Sequence, residues 1–116
     1  MYNRFKHGKI YLIQNDVDKM IYIGSTCKRA LTDRMWKHSS DSMKPEACNY
    51  NCKLYQHIRA LGQFSFDIVL VETYPCETEY ELRVREQHWM DHYAEQGATL
   101  LNQRRAVSKK RMPKHT

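Results

Sequence analysis

The sequence has no apolar run approaching the roughly 18 residues that a membrane-spanning helix needs. Its opening stretch, MYNRFKHGK, lacks the apolar core of a secretory signal peptide. Both absences point to an intracellular setting, cytoplasmic or nuclear, and away from membranes and secretion. None of the four cysteines, Cys27, Cys48, Cys52 and Cys76, stands in a C-x-x-C pair. Neither a zinc ribbon nor a disulfide framework is indicated, and reduced thiols are expected. No repeat or low-complexity stretch interrupts the 116 residues, a length that suits one domain with a modest core.

Acid is missing from one place. Between Gln103 and Thr116 stand Arg104, Arg105, Lys109, Lys110, Arg111 and Lys114, and no Asp or Glu. The chain carries a net charge of +6, so these six cations account for all of it and residues 1–102 are balanced. Such a segment suits a polyanion such as nucleic acid, bound without reading its sequence. A solvated end or a nuclear-import signal is the alternative. The expected division is a folded domain over residues 1–102 and a basic tail over residues 103–116.

Within the balanced part, hydrophobic periodicity sets the elements. Ile10-Tyr11-Leu12-Ile13 and Met20-Ile21-Tyr22-Ile23 are β-branched and aromatic, with the turn formers Asn15, Asp16 and Asp18 between them. They read as an antiparallel hairpin. Strand alternation separates Ile10 and Leu12 from Tyr11 and Ile13, and Ile21 and Ile23 from Tyr22 and Gly24, so the two tyrosines can share a face. A helix is expected from Leu31 to Ser39, a loop from Asp41 to Asn49, and a second helix from Cys52 to Leu61, stopped by Gly62. Residues 64–71 read as a third strand. A third helix is expected over Thr78 to Tyr93, with Thr78 and Glu81 fitting a capping box. The order β-β-α-α-β-α predicts an α+β domain: a small three-stranded antiparallel sheet flanked by helices.

Two helices carry polar residues where a core face should be. In the third, Leu82, Trp89, Met90 and Tyr93 form the apolar stripe, and Glu86 falls on or beside it. A lone carboxylate there costs several kcal/mol unless paired, protonated or bound to metal. A boundary Glu paired with Arg83 or Arg85 is the plainer alternative. In the first helix, Leu31, Arg34, Met35 and His38 share one face. A guanidinium and an imidazole one turn apart make a phosphate site, the Arg fork holding two oxygens and the His donating or shuttling a proton. A snorkelling Arg on an ordinary amphipathic helix is the alternative. Trp36, Trp89 and Tyr93 read as core rather than base-stacking platforms. A zinc site from His88, His92, Cys48 and Cys52 is a rival reading, but H-E-x-x-H is absent.

Taken in order, Ile10-Tyr11, Tyr22-Ile23-Gly24, Arg34-x-x-x-His38, Glu86-Gln-His-Trp-Met90 and Asn102 resemble the GIY-YIG nuclease family, over roughly residues 8 to 102. The first triplet departs from the family, with Lys9 in place of Gly and Gly8 just before it. That position carries no chemistry in the family. The second His that some members place after the first helix is matched here by Asn49.

The resemblance implies a metal-dependent endonuclease that hydrolyses DNA phosphodiesters to 5′-phosphate and 3′-hydroxyl ends. It implies Glu86 as sole protein ligand of one Mg²⁺ or Mn²⁺, a hard cation suited to a carboxylate and waters. Arg34 would clamp the scissile phosphate. Tyr11 would act as general base or orient the attacking water, and Tyr22 would help place it. His38 would carry a proton or donate to phosphate, and Asn102 would tether the floor of the site. A free phenol, with a pKa of about 10, is a poor base at neutral pH. Arg34 and the metal would lower it, and Lys9 falls on Tyr11's face by alternation. DNA contacts are expected from Lys9, Arg34, Arg104, Arg105, Lys109, Lys110 and Arg111. A DNA-binding module that keeps the fold without catalysis is the second reading. The family includes homing, restriction, repair and standalone viral enzymes. Homing enzymes usually carry a separate DNA-reading domain, for which the stretch after Asn102 is too short, and monomer and homodimer are both compatible with the sequence.

Overall fold

The first hairpin is closed by Asn15, whose Oδ1 accepts from the Val17 N–H at 2.9 Å and the Asp18 N–H at 2.7 Å; Asp18 Oδ1 then accepts from the Met20 N–H at 2.9 Å. Short polar side chains thus replace backbone pairing through the turn, as Asn and Asp do in Asx turns. The computed structural model describes residues 2–107, so the tail positions Lys109, Lys110 and Arg111 lie outside the described residues. Its elements are β1 (Lys9–Asn15), β2 (Tyr22–Thr26), α1 (Leu31–Ser42), α2 (Lys53–Leu61), β3 (Phe66–Thr73) and α3 (Glu79–Glu95). The three strands form one antiparallel sheet in the order β2-β1-β3. The fold is α+β, with the element order read from the sequence.

Several boundaries differ from expectation, three of them for reasons visible in the contacts. The second strand begins at Tyr22, not Met20, because Ile21 leaves the hairpin and pairs with the chain near residue 100: its N–H reaches Thr99 O at 3.0 Å and its C=O takes the Leu101 N–H at 2.7 Å. α1 continues to Ser42, three residues past the expected end. Arg59 of α2 explains the extension, since its Nη1 donates to Ser42 O at 2.7 Å and satisfies a C-terminal carbonyl. β3 starts at Phe66 because Gln63–Ser65 form a 3-10 turn after Gly62, whose φ of 92° favours glycine. Phe64 is therefore outside the strand and 95% exposed.

Both faces of the sheet are covered at β1, whereas Val69 and Leu70 of β3 stay exposed. Tyr11 and Ile13 pack with Leu54, Tyr55, Ile58 and Leu101 on the side of α1 and α2. Ile10, Leu12 and Ile23 pack with Leu82 and Met90 on the side of α3. This is the strand alternation read from the sequence. α3 starts with the expected capping box: Thr78 Oγ1 accepts from the Glu81 N–H at 3.2 Å, and Glu81 Oε1 from the Thr78 N–H at 3.1 Å. Trp89 and Tyr93 are partly buried beside this layer. Trp36 is not core: it is 65% exposed. It follows Met35 on α1, where a step of one residue turns the helix face by about 100°.

Candidate active site

β2 is an edge strand, and the polar residues singled out from both helices meet beside it. Register places Tyr11 opposite Gly24 and Ile13 opposite Tyr22. The rings of Tyr11 and Tyr22 lie with centroids 6.4 Å apart. Gly24 is required by that approach, because a Cβ there would come 2.3 Å from the Tyr11 hydroxyl oxygen. The glycine of the Tyr-Ile-Gly triplet is thus explained by the tyrosine on the neighbouring strand.

Tyr11 is fully buried, and its oxygen is the centre of a network. It accepts from Arg34 Nε–H at 3.2 Å and lies 2.8 Å from His38 Nε2. His38 Nδ1 lies 2.9 Å from the Tyr55 hydroxyl, which accepts from Asn49 Nδ2–H at 3.2 Å. Burial pushes the Tyr11 pKa up to about 12, against the opposing pull of Arg34. Burial likewise raises Tyr22. It lowers His38 to about 3, helped by the charge of Arg34, so the imidazole is neutral at physiological pH.

Glu86 comes from the other face and is only 5% exposed. Its Oε1 accepts from the Ser25 hydroxyl at 2.5 Å and lies 3.8 Å from Arg83 Nη1. Burial raises its pKa, and Ser25, Arg83 and Arg34 oppose the rise. Arg83 is thus its ionic neighbour, whereas Arg85 turns away to Glu72. Oε2 has no protein partner among the described residues. No fully buried side-chain oxygen among them lacks a hydrogen bond, so Oε2 meets solvent. Glu86 shares with Tyr22 and Asn102 the wall of a cleft of about 600 Å³, rimmed by Arg104 and Arg105. Beyond Ser25 lies a second cleft of about 380 Å³, lined by Arg4, Lys28, Arg34 and Arg83.

Asn102 holds the edge strand in place. Its Nδ2–H donates to Ile23 O at 2.8 Å and its Oδ1 accepts from the Ile23 N–H at 3.0 Å. One side chain thereby satisfies both backbone groups of Ile23 on the outer side of β2. Lys9 lies apart from Tyr11: its ammonium donates to His7 O at 2.9 Å and Lys28 O at 2.8 Å. Of the predicted site residues described, Tyr11, Arg34 and His38 are joined directly. Tyr22, Glu86 and Asn102 share a cleft wall, Arg104 and Arg105 rim it, and Lys9 stands outside both groups.

Sequence reasoning missed Ser25, Tyr55, Arg4 and Lys28, and named Arg83 only as a partner of Glu86 in the plainer alternative. Alternation past Ile23 places Ser25 on the α3 side, a signal available in the sequence. The others depend on which helices meet. A family model of the GIY-YIG catalytic domain matches residues 7–99.

The chain belongs to the GIY-YIG family.

Family membership points to nuclease activity, and nucleases of this family generally depend on a divalent metal. A curated protein named for an MSV199 domain, protein 146R of Invertebrate iridescent virus 6, is 30% identical over 88 residues. The match covers 76% of this chain and 34% of that protein, so the GIY-YIG chain spans about a third of its relative's length. No solved structure matches. Among the described residues no helix is long and apolar enough to cross a membrane, and no three His, Cys, Asp or Glu side chains are grouped to hold a metal. A metal here would meet one carboxylate. Glu86 fits that demand, with one oxygen anchored by Ser25 and the other open to the cleft, the remaining positions being left to water and phosphate.

Proposed function

We propose that this GIY-YIG protein is a DNA endonuclease dependent on one Mg²⁺ or Mn²⁺, hydrolysing phosphodiesters to 5′-phosphate and 3′-hydroxyl ends. The observation that carries the reading is the half-open carboxylate of Glu86 on a cleft shared with Tyr22 and flanked by Arg34 and Arg83. Glu86 would hold the metal, with its Ser25-free oxygen toward the cleft, and a bound metal would supply charge neutralisation at the phosphate and the leaving 3′-oxygen.

The protein's own residues supply the rest. Arg34 uses Nε on Tyr11, and its two Nη groups have no protein bond among the described residues, so they are free to take phosphate oxygens. The Tyr22 hydroxyl also has no protein partner among the described residues and helps place the attacking water at the cleft wall. Tyr11, behind Arg34 and against Gly24, takes the water's proton in its phenolate form, which the Arg34 Nε–H on its oxygen favours against burial. His38 donates to or exchanges protons with Tyr11. Asn102 keeps β2, and so Tyr22, at a fixed distance from the cleft floor. Arg104, Arg105, Lys109, Lys110 and Arg111 make sequence-independent phosphate contacts.

Cleavage of supercoiled plasmid with Mg²⁺ or Mn²⁺ tests the proposal. Metal-dependent nicking or linearisation by wild type, lost in Glu86→Ala, is expected. Plasmid bound in a gel shift but never cut by folded wild type, across sequences and both metals, would favour the non-catalytic DNA-binding module instead.

A further inference from the structure

Two clefts adjoin the Ser25–Glu86 contact, and Arg83 lines both. The proposed reaction uses the one that holds Glu86, Tyr22 and Asn102. In the other, of about 380 Å³, it uses only Arg34. Four cations line that second cleft, Arg4, Lys28, Arg34 and Arg83, against one carboxylate, Glu79. A cleft lined by one sign of charge focuses its field and concentrates ions of the other sign.

Two of these cations have no other task. The Arg4 guanidinium lies 4.9 Å from the centroid of the Phe5 ring and makes no hydrogen bond or ion pair among the described residues. The Lys28 ammonium has no partner among them either. The segments that carry both side chains are nevertheless fixed. Arg4–His7 form a 3-10 turn, capped by Asn3 Oδ1, which accepts from the Phe5 N–H at 3.0 Å. Phe5 O accepts from the Cys76 N–H at 3.0 Å, and Asn3 Nδ2–H donates to Cys76 O at 3.2 Å, which binds the turn to the segment before α3. The Lys28 N–H donates to Thr26 Oγ1 at 3.1 Å. The Lys9 ammonium, bonded to both His7 O and Lys28 O, ties the Arg4 turn to the Lys28 loop. The backbones are held, and the charged ends are left for a ligand.

A DNA strand whose scissile phosphate meets Arg34 must continue from it in two directions. Arg104 and Arg105 provide for one, at the rim of the Glu86 cleft. Arg4 and Lys28 provide for the other, a guanidinium fork and an ammonium suited to phosphate oxygens. We propose that the cleft beyond Ser25 is a second phosphate site, in which Arg4 and Lys28 hold the phosphodiester next to the scissile one on the same strand. The proposal rests on the nuclease reading, from whose substrate it takes its ligand. Phosphate contacts fix register and carry no base preference, so the site seats the strand against Glu86 without selecting its sequence.

Fluorescence anisotropy with a labelled DNA duplex in EDTA reads the site without cleavage. Arg4→Gln/Lys28→Gln is expected to weaken binding about tenfold. The fall of log K with log salt should become shallower by about 0.9, the slope of one phosphate contact. Lys28→Arg keeps the charge and is expected to bind like wild type. Lys19 is exposed in the hairpin turn, at the far end of β1 and β2 from Lys9 and Thr26, and Lys19→Gln is expected to leave the slope unchanged. In cleavage, the double variant is expected to raise KM and leave kcat unchanged, because neither side chain touches the reacting atoms. A wild-type slope in the double variant, or an equal loss in Lys19→Gln, overturns the inference. So does saturable binding of inorganic phosphate, followed by phosphorus NMR, that the double variant loses while its DNA slope stays at the wild-type value; the cleft then serves a small phosphate ligand. If wild type binds duplex but never cuts it, the nuclease reading fails and the salt slope still judges the site. If wild type binds no duplex, both fall.

Discussion

Ile10 and Leu12 leave β1 toward α3, while Tyr11 and Ile13 leave it toward α1 and α2. On the α3 side the strand meets hydrocarbon, with Leu82 and Met90 filling the layer. On the other side the same strand buries a phenol whose oxygen is shared by an imidazole and a guanidinium. Burying polar groups is tolerable only when every one is paired, and a paired network fixes one geometry. The apolar face therefore supplies stability and the networked face supplies placement. Glu86 joins the two by reaching Ser25 on the edge strand from the apolar side.

A crossed pair of substitutions one residue apart gives the largest expected contrast. Tyr11→Phe keeps the ring and removes the oxygen at the network's centre. Cleavage is expected to fall by about a hundredfold or more, as for loss of a general base. Stability should fall by only about 1–2 kcal/mol, for the donors left unpaired. Leu12→Ala should do the reverse: a loss of about 2–4 kcal/mol in denaturant unfolding, with kcat nearly unchanged below the unfolding transition. Equal effects of both substitutions on kcat would break the division between faces.

The networked face also carries an acid sensitivity that sets in at higher pH than any on the α3 face. His38 has its pKa lowered to about 3 in the fold, below its ordinary 6.5. The unfolded chain therefore binds the proton first. The stability contributed by neutral, buried His38 is complete above about pH 6.5 and is lost as pH falls from there toward 3, at about 1.4 kcal/mol per pH unit. Unfolding midpoints at about pH 7.5, 5.5 and 4.5 measure the slope, and His38→Gln should flatten it. Equal slopes for the two proteins would remove His38 from the account.

Much of this division could be read in the sequence, because it rests on local periods. Alternation in residues 10–13 separated the two faces, and helical spacing put Arg34 with His38 and Glu86 with Leu82. What escaped depends on elements meeting at a distance. Ser42 continues α1 because Arg59 arrives from α2, and Ile21 leaves the hairpin because residues 99–101 pass beside it. Tyr55 reads as an ordinary core aromatic on α2, since nothing local says that its hydroxyl faces His38. Phe64 and Trp36 were misplaced for the same reason: apolar character in a short window does not say whether another layer covers it.

The smallest contrast lies on the α3 side, far from the tyrosines. Glu72 accepts two hydrogen bonds from Arg85, Nε–H at 2.5 Å and Nη2–H at 2.9 Å, and a third from the Trp89 indole at 3.0 Å. The hydrogen bond from Arg85 holds the Glu72 carboxyl below its ordinary range, so the contribution is present above about pH 4.5 and lost as pH falls through the lowered value. Both side chains keep roughly a quarter or more of their surface in water, 30% for Arg85 and 27% for Glu72, which screens the attraction. Arg85→Gln should therefore cost only about 0.5–1 kcal/mol, less in high salt, and leave the cleavage rate and its pH profile unchanged. The bulge between Ile10 and Tyr11 is what aims Glu72 at Arg85, since register runs from Ile10 opposite Glu72 to Tyr11 opposite Leu70 and leaves Val71 unpaired between them. If Arg85→Gln did slow cleavage, the disturbance would have crossed β1 through that bulge to Tyr11, and the two faces would be one coupled unit.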